Sequence, residues 1–248
     1  MTSGAGPPAN PEPTVAAVQG GGRWVALSGI AFGVLLLFGW FLSGGDTPDY
    51  TAGDGEWTEW ATANQSRSGI GGFVILLAGF ALLHYAGALR DVLGQAELRV
   101  RGSAPLANTA FAGAITGTVG ITLAIVLIGA ATAVGADADP VVSRAVATSS
   151  AGPYLVATMG FSTLLGASGL LTMRTGVLPR WTGVVALIGA FAFFVVFMTL
   201  LAGTGEDSVF GYGYLPGVLA LVVWAIGTAA TTHRELRKLP VTAQSVQT

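Results

Sequence analysis

The chain has no cysteine. That removes disulfides, thiolate nucleophiles and thiolate metal sites together. Charge is nearly as scarce. Only 10% of the 248 residues are Asp, Glu, Lys or Arg, against about 25% in an ordinary soluble domain. A water-soluble fold of this length could not cover its surface with so few polar groups. The net charge of −2, with no basic run anywhere, offers nothing to a polyanion and excludes a nucleic-acid partner. No carboxylate trio has calcium-loop spacing, since Asp46, Asp49 and Asp54 are wrongly placed for one. No cofactor and no metal are therefore expected.

What is present is apolar sequence, 52% of the chain. It falls into six runs: Trp24 to Leu42, Ile70 to Leu89, Pro105 to Val134, Tyr154 to Met173, Trp181 to Ala202 and Pro216 to Thr231. About 20 apolar residues suffice to cross the hydrocarbon of a bilayer as a helix. The first run exceeds the apolar region of a cleaved signal peptide and has no small-residue cleavage site after it, so it is expected to be a retained span. Pro105, Pro153, Pro179 and Pro216 each stand at the head of a run, where a helix needs no backbone donor. Pro140 is expected to open a short helix, Val141 to Ser150, ahead of the fourth span. The sequence thus predicts an all-α polytopic bundle of six transmembrane helices with short interfacial helices. Residues 1–22 are expected to form a disordered cytoplasmic tail, 23–238 the membrane domain and 239–248 a second disordered cytoplasmic tail.

The arginines and lysines orient the bundle. Arg23, Arg90, Arg99, Arg101, Arg174, Arg180, Arg234, Arg237 and Lys238 fall in alternate connections, and Arg67 and Arg144 in the others. Positive residues collect on the cytoplasmic side, so both termini are expected in the cytoplasm and the protein in the plasma membrane. The acids gather opposite, from Asp46 to Glu59 and at Asp137, Asp139, Glu206 and Asp207.

Helices in lipid associate through small residues. Thr109, Gly113, Gly117, Gly120 and Ala124 share one face of span 3, and Thr158, Ser162, Gly166 and Gly169 repeat the pattern in span 4. Spans 3 and 4 are accordingly expected at the centre, and the phenylalanine-rich span 5 against lipid. The two halves show no matching pattern of the kind inverted-repeat transporters carry.

Candidate chemistry is sparse. An ionisable group within a span is a functional candidate by default, and His84 is the one that qualifies. It lies about 9 Å along the axis from Arg90 at 1.5 Å per residue, and is either a proton-carrying group or a packed histidine bonded to a Ser or Thr. Trp57 and Trp60, one helical turn apart in the first outer loop, read as indoles of a headgroup-level aromatic belt or as part of a ligand-recognition lid. Ser162 lies mid-span, and the histidines stand toward the cytoplasmic side, so no serine–histidine pair forms. Thr116 and Ser162, with Thr122 and Thr158, could line a path for a neutral solute. No acid–base constellation supports an enzyme.

Two motifs resemble a known group. Leu171-Thr-Met-Arg-Thr-Gly-Val-Leu-Pro-Arg-Trp-Thr-Gly183 resembles the RTG-hydrophobic-LPRW-x-G hairpin of uncharacterised six-helix membrane proteins from high-GC bacteria. Tyr85-Ala-Gly-Ala-Leu-Arg-Asp91 and the span layout resemble the same group, over residues 24–232. The resemblance implies the fold and the membrane location and no catalytic residue. The sequence reads, then, as a non-enzymatic membrane protein whose partners are the lipid bilayer and a protein or a second copy of itself. The alternative is a permease or channel for a neutral or apolar solute.

Overall fold

The computed structural model describes residues 15–43, 47–48, 52–134, 139–201 and 210–238. They form α1 (Val15–Leu42), α2 (Asp54–Arg101), α3 (Pro105–Val134), α4 (Pro140–Thr148), α5 (Ala151–Thr175), α6 (Arg180–Leu201) and α7 (Phe210–Lys238). Among the described residues there is no strand. Five helices are long and apolar enough to cross a membrane, and the described apolar part of α1, Ala26–Leu42, is shorter. Parts of the expected tails, 1–14 and 239–248, and the loop residues 44–46 and 49–51 lie outside the described residues.

Local signals explain most boundaries. Pro105 and Pro140 are the first residues of α3 and α4, and Asp139 caps α4 by accepting from the Val141 N–H at 2.9 Å. Gly102 and Gly176 end α2 and α5 in the left-handed region, with φ of 72° and 65°, where a Cβ would be strained. Their N–H groups donate to the carbonyls of Leu98 and Thr172 at 2.9 Å.

Three boundaries differ from the sequence reading. α1 begins at Val15, inside the stretch expected to be tail. Pro216 lies within α7, which starts at Phe210, so this proline does not open its helix. A proline in a buried membrane helix is tolerated where neighbours satisfy the freed carbonyl. The tryptophan segment of the first loop is not a separate interfacial helix. It is the start of α2, whose 48 residues extend about 72 Å at 1.5 Å per residue, well beyond the ~30 Å hydrocarbon layer.

The long helices pack in a ring. Each rests on its neighbours along the chain, α1 on α2, α2 on α3, α3 on α5, α5 on α6 and α6 on α7, and α7 returns to α1. The ring replaces the expected arrangement with spans 3 and 4 at the centre. No long helix is enclosed, because each keeps one apolar stripe outward: Ile70, Phe73, Leu77 and Phe80 on α2, Ile115, Val119, Leu123 and Val126 on α3, and Ile188, Phe191 and Phe194 on α6. Nor is α6 wholly lipid-facing, since its Phe193 and Val196 are fully buried. Helices apolar both inside and outside suit a lipid solvent.

Glycines set the closest seam. Built onto Gly113, a Cβ would meet the backbone of Leu164 and Gly160; on Gly120, that of Ala157 and Pro153; and on Gly160, that of Gly117. Here α3 and α5 touch backbone to backbone, which only small residues permit.

Candidate functional site

The structure does not gather the sequence candidates into one place. His84 is exposed on α2, and its Nδ1 lies 3.4 Å from the Ser28 hydroxyl of α1. That is a long contact at an exposed position. Among the described residues no group of three or more His, Asp or Glu could hold a metal ion.

Trp57 is 2% exposed and packs on Ala131 at the end of α3 and Ala147 of α4, so it does not stand in a headgroup belt. The belt reading assumed a short helix lying on the membrane. Because α2 instead rises continuously from Asp54, α4 folds over its first turns and covers the indole. Trp60 stacks edge-on against Trp57 at 6.0 Å, with a buried indole N–H that has no partner among the described residues. Arg144 of α4 pairs with Asp54 at 3.0 Å. Both are more than a third exposed, so the pair holds α4 in place only weakly.

Thr116 and Ser162 also stand apart. Thr116 is on the exposed side of α3, whereas the Ser162 hydroxyl donates to the Ala190 carbonyl of α6 at 2.8 Å. Thr158 is buried and donates to the carbonyl of Leu155 in its own helix. These hydroxyls line no common path along the α3–α5 seam.

Two features escaped the sequence reading. The first is Glu97, 1% exposed near the end of α2. Its Oε1 accepts from the Leu106 N–H at 3.2 Å and its Oε2 from the Ala107 N–H at 3.0 Å. Accepting on both oxygens is what a carboxylate can do, and the donors are amides of the first turn of α3, which have no carbonyl of their own helix to pair with. The positive end of the α3 dipole offsets the charge. Beside Glu97 is a cleft of about 280 Å³, lined also by Val100, Arg101, Leu106, Leu171, Arg174 and Thr175. Arg101 and Arg174 occupy the last turns of α2 and α5.

The second feature is a polar layer inside the ring. The Tyr85 hydroxyl of α2 is hydrogen-bonded to the Thr228 hydroxyl of α7, and the Tyr85 ring meets Trp224 edge-on at 6.2 Å. The Trp224 indole N–H and the Ser168 and Thr172 hydroxyls are buried with no partner among the described residues. Packing of Gly189 on Leu165 and Ala220, and of Gly183 on Thr172, puts Ser168, Thr172 and Trp224 at similar depth. Isolated Ser, Thr and aromatic residues in an apolar run carry no periodic signal, so only the assembled ring reveals them. The chain matches no protein-family description, no curated protein and no solved structure.

Proposed function

We propose that this chain is a multi-pass plasma-membrane protein that performs no catalysis, conducts no solute and acts through contact with partners, both termini being cytoplasmic. The observation that carries the reading is the α3–α5 seam. A solute path along it would need room beside Thr116, Thr158 and Ser162. Instead Gly113, Gly120 and Gly160 bring the two backbones into contact, and these hydroxyls face outward or are bonded to helix carbonyls. The arginine distribution supports the orientation, and the resemblance of the Arg174 to Trp181 hairpin supports the family.

The permease reading has one observation in its favour, the unpaired Ser168, Thr172 and Trp224 groups in the interior. Buried polar atoms of this kind are ordinarily served by water or a ligand. The two readings separate in proteoliposomes subjected to an osmotic step of glycerol, urea or a small sugar. The expected result is reswelling no faster than in protein-free vesicles of the same lipid. Reswelling that depends on protein and on solute would replace this reading with the permease.

A further inference from the structure

The cleft between α2, α3 and α5 joins three properties that seldom coincide. Its walls are apolar at Val100, Leu106 and Leu171, and it carries two guanidinium groups, Arg101 and Arg174. Both arginines are exposed, and neither has a hydrogen bond or ion pair among the described residues. Glu97, the one acid in the lining, is buried and spends both oxygens on the amides of Leu106 and Ala107. Both oxygens are thus engaged by the start of α3. The formal charge of the lining is +2 from Arg101 and Arg174 and −1 from Glu97, a net +1.

The surroundings tell which anion fits. Val100, which lines the cleft, and Leu98, Val177 and Trp181 at the same end of the bundle are large apolar groups left 36–66% exposed. An exposed tryptophan among exposed aliphatics at the ends of membrane helices marks the headgroup level. A soluble anion gains nothing from such a rim, whereas an acyl chain does. Arginines at helix C-termini also complement the helix dipole, but that role requires no cleft. The cleft has a volume of about 280 Å³. It can take a phosphate with its glycerol linkage and the first carbons of the chains.

We infer that this cleft is a binding site for the phosphodiester headgroup of an anionic phospholipid, with Arg101 and Arg174 on the phosphate and Val100, Leu106 and Leu171 against the first carbons of the chains. Basic pockets between membrane helices hold such headgroups in general. The inference is independent of whether the bundle conducts solute.

The test is lipid retention by the purified full chain, read by native mass spectrometry with phosphatidylglycerol against phosphatidylcholine. Phosphatidylglycerol should be retained preferentially. Diffuse attraction gives about fivefold per arginine near an anionic surface, so the double variant R101Q/R174Q should weaken retention by more than the roughly thirtyfold that two such charges account for. R180Q, which removes a charge from the same end outside the cleft, should keep the preference. Equal loss in R180Q would mean diffuse attraction to a basic surface and would overturn the site. Competition by soluble glycerol phosphate would assign it to a free phosphate and overturn it too. Should the double variant not fold, a photoreactive phosphatidylglycerol on the unmodified protein decides. Crosslinks confined to 97–106 and 171–175 support the site, and crosslinks spread along the apolar belt refute it.

Discussion

Glu97 shows how one side chain can join two helices. It sits before the tight turn at Gly102 and reaches across it to the first amides of α3, so the α2–α3 connection is clamped by a single carboxylate. Burying an unpaired polar group costs about 1–3 kcal/mol, and removing Glu97 would leave two amides in that state. Glu97→Ala is therefore expected to lower the thermal midpoint in detergent distinctly. Glu97→Gln should also lower it, because one acceptor oxygen becomes an NH2 facing an amide donor. Glu59→Gln, at an exposed position on the same helix, should have no effect. If both Glu97 variants melted with the wild type, solvent would be serving the α3 amides and the clamp would not exist. Nothing in the sequence around Glu97 announces this role. A glutamate eight positions before a proline-led helix looks like any loop acid until the turn brings it back.

At the scale of the helices, the glycines of α5 are not equivalent, and the difference can be measured. A Cβ on Gly160 would meet the backbone of Gly117, which cannot give way, while one on Gly166 would find Ala190 Cβ at 3.7 Å, an ordinary contact. Overpacking in a tight core costs about 1–3 kcal/mol. An alanine with room to spare gains about 0.5–1 kcal/mol over glycine within a helix. Gly160→Ala should destabilise the protein to denaturant-induced unfolding, and Gly166→Ala should be neutral or stabilising. Equal responses would mean that the α3–α5 seam is looser than its backbone contacts indicate. Sequence spacing found small-residue faces on α3 and α5, but the face it named on α5 packs on α6 through Ser162, Gly166 and Gly169, while Ala157, Gly160 and Leu164 meet α3. It could not rank the positions within each face, because all glycines look alike until the partner backbone is in place. The same limit applies to Trp57, whose amphipathic ring suits either a headgroup belt or a buried seat under α4.

At the scale of the whole molecule, the ring has an arginine-rich end, where α2 and α5 finish, and an acidic end, where α2 and α4 begin. The bias of positive residues predicts the first to be cytoplasmic. Cysteines placed at Gly53 and Val141, both exposed at the acidic end, should react with an impermeant thiol reagent in intact cells. One at Ser103, exposed at the arginine-rich end, should react only after lysis. The native chain has no cysteine to compete, and labelling in the reverse order would invert the topology. The sequence alone determined the solvent, the number of long helices and the α4 segment, because these depend on run length, composition and proline placement along a single strand of chain. Only the tertiary structure decided the closure of the ring, the burial of Trp57, the Glu97 clamp and the two-arginine cleft. Each of these depends on which residues of different helices come within a few ångströms. In a chain whose helices are apolar on every side, periodicity marks no inward face from which that could be read.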